Sequence, residues 1–150
     1  IWPVAHICQA IYNLPVPAKA KALPLPRFFR ALADPTRLRL INLIADNEIC
    51  VCYFVQILAM SQPKISRHLA YLRRAGIVAA RRQGRWMHYR LAIPGDAAAH
   101  AILKETLLHV RQMPELKKDL SRLEQSCCSP NSSPLTRLAP HPLVFPIAAR

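Results

Sequence analysis

Proline is distributed so that only the middle of this chain can form regular structure. Of 14 prolines in 150 residues, five fall within residues 1–26 and five more after residue 129. Proline removes a backbone donor and resists helix. Residues 1–26 are therefore expected to be a flexible Pro-rich leader, and residues 127–150 a disordered Pro/Ser-rich tail that starts with a vicinal Cys pair. What remains, 27–126, is one domain with a modest core. No apolar run approaches the roughly 18 residues of a membrane span. The opening IWPVAHICQAIYNLP has no basic stretch and no small-residue cleavage site, so a signal peptide is not expected, and it begins without Met. Five cysteines, two of them adjacent, make a poor disulfide framework. They suit free or metal-binding thiols in a reducing cytoplasm.

Inside 27–126 the punctuation is dense. RFFRALAD reads as a short amphipathic helix. DPTRLRLINLIAD follows, with Asp34 as N-cap and Pro35 at the first helical position. CYFVQILAM is a short third helix. SQPKISRHLAYLRRAG is a fourth, with Ser61 placed to cap it and Gly76 to stop it. IVAARRQGRWMHYRLAI holds two apolar and aromatic runs around Gln-Gly, a β-hairpin pattern. Asp96 opens a long helix that Pro114 should break and PELKKDLSRLEQ can restart. The expected fold is mainly α with a small β-hairpin: a winged helix-turn-helix. Ile102, Leu103, Thr106, Leu107 and Val110 give the terminal helix an apolar face, which a partner copy would ordinarily bury. The expectation is a homodimer formed through terminal helices.

Charge points to the partner. The chain carries 21 Lys+Arg against 8 Asp+Glu, a net +13, and no acidic residue lies between Glu48 and Asp96. Such a balance favours a polyanion. At 100° per residue, Ile65, Leu69 and Leu72 share the core stripe of the fourth helix. Lys64, Arg67, Tyr71 and Arg74 lie opposite, with Ser66 and His68 flanking. That face suits a DNA major groove, where Lys and Arg reach guanine edges. Ser61 and Gln62 stand at the helix entry, near a phosphate or a base. Arg81, Arg82, Gln83 and Arg85 form a hairpin tip suited to phosphates or a minor groove. Trp86 and Tyr89 are expected to pack the hairpin.

EICVCYFVQ, residues 48–56, poses a separate problem. On a helix, residues i and i+2 point about 200° apart, and on a strand they point to opposite faces. Cys50 and Cys52 are thus expected to share an ion only if the helix start unwinds. Metal capture and an intact third helix would then be competing states. A thioredoxin-like βαβ pattern is missing around the motif. No Ser-His-Asp or paired-carboxylate constellation is apparent, so an enzyme, such as a thiol oxidoreductase, is not expected.

Together FFRALADPTRLRLINLI, EICVC, SQPKISRHLAYLRRAGIV and RRQGRWMHYRL resemble the ArsR/SmtB metalloregulators over about residues 27–93. The Cys-Val-Cys after Glu48 is most similar to the arsenical-resistance repressor branch. The resemblance implies a homodimeric repressor that holds a palindromic operator when metal-free and leaves it when As(III) or Sb(III) binds cysteine thiolates. It maps the metalloid ligands to Cys50 and Cys52, at the start of the third helix. Two departures stand out: Tyr53 replaces a frequent acidic residue, and Val55 occupies the position of a third cysteine. Cys127 and Cys128 can complete the site, within or across a dimer, or form a second one for methylated or phenylated arsenicals. Cys8 is expected to be incidental. A zinc- or cadmium-sensing alternative would draw on Asp96, His109 and His100 of the terminal helix, since Ala98 cannot ligate. A thiol-redox sensor on the same scaffold is the other alternative.

Overall fold

The computed structural model describes residues 25–92, 94–128, 136 and 139–144. The leader, with Cys8, and most of the tail lie outside the described residues, as do the side chains of Cys127 and Cys128. The elements run α1 (Leu25–Leu32), α2 (Pro35–Ile44), β1 (Asn47–Cys50), α3 (Val51–Leu58), α4 (Gln62–Arg74), β2 (Val78–Gln83) and β3 (Trp86–Leu91). They continue with α5 (Ala97–Val110), α6 (Pro114–Cys128) and β4 (Leu143–Val144). This is a winged helix-turn-helix: α3 and α4 form the helix pair, and β2–β3 is the wing.

Local chemistry sets the boundaries. Asp34 caps α2 by accepting from the Arg37 amide at 2.9 Å, with Pro35 following it. Asp96 does the same for α5 through the Ala99 amide. At the end of α4 the Gly76 amide donates to the Arg73 carbonyl and the Ile77 amide to the Leu72 carbonyl. This paired closure needs a left-handed residue, and Gly76 has φ +73°. Gly84 serves the hairpin tip likewise, at φ +59°. Ser61 occupies the N-cap of α4, but its side chain makes no capping hydrogen bond.

The sheet differs from the expected hairpin. Four antiparallel strands run in the order β2-β3-β1-β4. Four residues of β1 are too few to display a strand period, and pairing with β3 supplies what local sequence cannot. Cys50 stands opposite His88, and Ile49 opposite Tyr89. Most of the tail expected to be disordered lies outside the described residues. Leu143 and Val144 pair with Glu48 and Asn47 along the outer edge of β1.

The core runs through Phe28, Leu40, Ile41, Leu43, Ile49, Phe54, Ile65, Leu69, Leu72 and Ile77. Pro114 ends the first terminal helix, as expected, and α6 folds back along α2. The Asn42 amide donates to the Leu116 carbonyl at 3.2 Å, and Arg39 grips Asp119 at 2.6 and 2.8 Å. The apolar face of α5 expected at the dimer interface is partly used inside the single chain. Leu103, Leu107 and Val110 are buried inside the single chain. Ile102 packs on the same core, and the half-buried Thr106 donates its hydroxyl to the Ile102 carbonyl. Helix α5 packs against α2 of its own chain through the buried members of this set, while Ile102 and Thr106 stay half-buried. Among the described residues no helix is long and apolar enough to cross a membrane.

Candidate thiol site and nucleic-acid interface

The two cysteines meet without any unwinding. Cys50 ends β1 and also caps α3, with extended backbone at φ −70°, ψ 144°. Cys52 already lies in the first turn of α3. The change from strand to helix between them swings the side chains together, and their sulfurs lie 2.7 Å apart as free thiols. The rule for i and i+2 holds within a helix and within a strand, but not across their junction. No unwinding of α3 is therefore needed to bring the two sulfurs together.

Both sulfurs are buried, with Cys50 at 0% and Cys52 at 8% relative exposure. The hydrogen bond from Cys52 lowers the Cys50 thiol to about 7, helped by the Cys52 and Val51 amides and opposed by burial. The same bond, together with burial and repulsion from Cys50, pushes the Cys52 thiol upward. The pair is thus built to carry one negative charge. Tyr89 stands nearby, edge-on to Phe54 with centroids 6.3 Å apart. Burial raises its phenol, Arg73 at the end of α4 opposes that, and Cys50 adds to it. The thiol pair, the wing strand β3 and the end of α4 therefore lie near one aromatic ring.

Two residues of this neighbourhood escape sequence reasoning. Glu48 is buried and accepts from Arg81 Nε at 2.9 Å and from its Nη2. Arg81 is thus bound to β1 as well as placed on the wing. His88 is buried opposite both Cys50 and Arg81 in the sheet. Its ring nitrogens have no hydrogen-bond partner among the described residues, and burial, then Arg81, lowers its pKa against the pull of Glu48. Nothing in the local sequence marks either role, since both depend on the β1–β3 pairing.

The residues expected to face DNA divide into two groups. Ser61, Gln62, Lys64, Arg67 and Arg74 are exposed on α4, and Arg82, Gln83 and Arg85 on the wing. Of these, Arg67 leans toward the Pro63 carbonyl at 3.4 Å, Arg82 donates to the Gly84 carbonyl, and Arg85 stacks on Trp86. Ser66, His68 and Tyr71 are half-buried. His68 Nδ1 lies 3.5 Å from Asp34, and Tyr71 carries the Arg37 guanidinium 4.4 Å above its ring. Arg37 also donates to the Ala31 and Arg30 carbonyls, welding α1, α2 and α4. Of the zinc candidates, Asp96 is committed to capping α5, His109 is exposed, and His100 keeps Nε2 buried without a partner. No three His, Cys, Asp or Glu side chains form a metal-holding group among the described residues.

Residues 34–80 match the family model described as bacterial regulatory protein, arsR family. Over 84 residues the chain is 49% identical to the "Arsenic resistance transcriptional regulator ArsR1" of Pseudomonas putida, a match covering 55% of this chain and 66% of that one. Over 79 residues it is 51% identical to the "Arsenical resistance operon repressor" of Escherichia coli, covering 51% and 67%. The chain belongs to the ArsR family. Its match spans about two thirds of each of these relatives. Reduced HlyU of Vibrio cholerae has the same fold, at TM-score 0.50 and 30% identity over 59% of this chain and 88% of that one. This ArsR-family chain is a DNA-binding transcriptional regulator with a winged helix-turn-helix, and the family to which it belongs is not one of enzymes.

Proposed function

We propose that this ArsR-family regulator is a cytoplasmic, homodimeric repressor that holds a palindromic operator while its thiols are free and leaves it when As(III) or Sb(III) binds Cys50 and Cys52. The observation that carries this reading is the pair of adjacent buried sulfurs at the β1–α3 junction. Soft trivalent metalloids prefer thiolates to oxygen or nitrogen donors. The lowered Cys50 thiol supplies a ready nucleophile near neutral pH.

Two thiolates bound to one ion through bonds of about 2.3 Å sit roughly 3.3–3.8 Å apart. Capture would therefore fix the separation of Cys50 and Cys52, which already stand side by side. Cys50 belongs to β1, which is paired to the wing strand β3. Cys52 belongs to α3, which packs directly on α4. Tying the two sulfurs to one ion would shift the wing against the recognition helix, two parts that must fit one operator together. A coupling of about 1.4–4 kcal/mol suffices for tenfold to thousandfold release. With Leu103, Leu107 and Val110 buried in the single chain, a second copy would meet the terminal helices through Ile102 and Thr106, which are half-buried, and through exposed apolar side chains such as Phe29.

The test is an operator fluorescence-anisotropy titration with arsenite, antimonite, zinc and cadmium. Arsenite and antimonite should release the native protein, while Cys50→Ser and Cys52→Ser should bind operator and ignore both. Release of either variant at native concentrations would end this reading. The sulfur adjacency also favours a second one, redox sensing. Two thiols could pass two electrons and two protons to hydrogen peroxide, leaving a disulfide and two waters. Peroxide titrated in the same assay separates the two.

A further inference from the structure

We propose that Arg37, which lies outside both the α3–α4 pair and the wing, is a positioning residue for operator recognition: it sets the rotation of α4 without itself touching DNA. This deepens the operator reading above and rests on it, but it does not involve the thiols.

Every nitrogen of the Arg37 guanidinium is already engaged. Nε donates to the Ala31 carbonyl at 2.7 Å and Nη2 to the Arg30 carbonyl at 2.5 Å. Nη1 lies 3.5 Å from Asp34 Oδ2, and the guanidinium carbon stands 4.4 Å from the centre of the Tyr71 ring. Only 13% of the side chain is exposed, so little of it is left to meet a phosphate. Asp34 makes a second link to α4. Its Oδ1 accepts from the Arg37 amide and lies 3.5 Å from His68 Nδ1. Asp34 and Arg37 are three residues apart at the start of α2, and they engage His68 and Tyr71, three apart on α4. Residues at that spacing are neighbours on a helix surface. The two contacts are rungs along one flank of α4.

Those rungs supply what the core cannot. Ile65, Leu69 and Leu72 are fully buried and aliphatic. Apolar burial fixes how deep a helix sits but has no direction of its own. Hydrogen-bonded ion pairs and cation–ring contacts do have one. Lys64, Arg67 and Arg74 are exposed on the same helix, and a binding constellation tolerates errors of only about 0.5 Å and 10–20°. A rotation of α4 would misaim all three together. Phosphate attraction carries no sequence information and is far less sensitive to such a turn. Loss of the Arg37 contacts should therefore reduce sequence preference rather than general affinity. Lysine cannot replace Arg37 here. It keeps the charge but lacks the planar fork that meets two carbonyls and stacks on a ring.

The experiment first selects, from a random-sequence pool, the duplex that the metal-free native chain binds best. Anisotropy then measures that duplex and a scrambled one between about 50 and 200 mM salt. Arg37→Lys and Tyr71→Leu should each bind the selected duplex at least about tenfold more weakly, as for a lost base contact. Binding to the scrambled duplex should stay within about twofold of native, with an unchanged salt slope. The double variant should lose no more than the weaker single one, since both break the same rung. Tyr71→Phe keeps the ring and should match the native chain. Native preference in Arg37→Lys overturns the proposal, because charge alone would then suffice. So does a salt slope shallower by about one in Arg37→Ala, the mark of a direct phosphate contact. Equal weakening on both duplexes overturns it as well, since a general loss of structure gives that result. If Arg37→Lys does not fold, native preference in Tyr71→Leu is the overturning result. If the native chain selects no duplex at all, the operator reading fails and this inference fails with it.

Discussion

Arg67 and Tyr71 occupy the same face of α4 and yet have different work. Arg67 is exposed, with one long contact to its own helix. Tyr71 lies under Arg37 and toward Arg74. Arg67→Ala should weaken operator binding by about 1–3 kcal/mol with or without inducer. Tyr71→Phe keeps the stacked ring and should stay within about 0.5 kcal/mol of the native affinity. Anisotropy on the two variants checks both. Helical periodicity puts both residues on one face, and they do share it. Periodicity cannot say which residues of that face another element has claimed, because Arg37 comes from a different helix. The thiols follow the same pattern. Their chemistry singles out Cys50 and Cys52 in the sequence, but the sequence does not show that they straddle a junction rather than share one helix. Ultraviolet absorbance of thiolate in a Cys8→Ser/Cys127→Ser/Cys128→Ser background should rise by one equivalent with a midpoint near 7. The second equivalent should be delayed beyond the ordinary thiol range. Two equivalents rising together near the ordinary thiol value would contradict the shared proton. Since the folded Cys50 value lies below its ordinary one, its stabilising contribution is present above the ordinary value and fades as pH falls through about 7.

At the scale of elements, helix ends and the wing are legible in the sequence because caps, Pro35, Gly76 and Gly84 act through local backbone chemistry. Strand β1 and the return of α6 are not, since each depends on partners far along the chain. The α2–α6 contact rests on Asp119, 1% exposed, held by Arg39, whose side chain is 28% exposed, and by Arg122. The two sides of this pair should respond unequally to mutation. Asp119→Ala leaves Arg39 able to reach water and should cost about 1–2 kcal/mol. Arg39→Ala leaves a buried carboxylate with one long contact to Arg122 and should cost more, about 3 kcal/mol. Urea unfolding of both variants decides the order. The reverse order would mean that Asp119 is better hydrated than its burial implies.

For the whole molecule, the basic charge and the winged fold agree on a nucleic-acid partner, and both are legible in the residues alone. The division of the terminal helix between its own core and a partner copy is not. An apolar stripe on a terminal helix looks the same whether a second copy or the chain's own α2 covers it. Leu107→Ala should therefore lower the stability of the single chain by about 2–5 kcal/mol. It should not behave as a clean monomer-forming substitution. Chemical unfolding and sedimentation together distinguish the two outcomes. The central claim, that capture at Cys50 and Cys52 releases the operator, has a direct measurement. Arsenite is added stepwise to the operator complex, anisotropy is read, and each sample is alkylated under denaturing conditions and mapped by peptide mass. The expected result is protection of Cys50 and Cys52 rising in step with release. Release that proceeds while both thiols remain open to alkylation would contradict it.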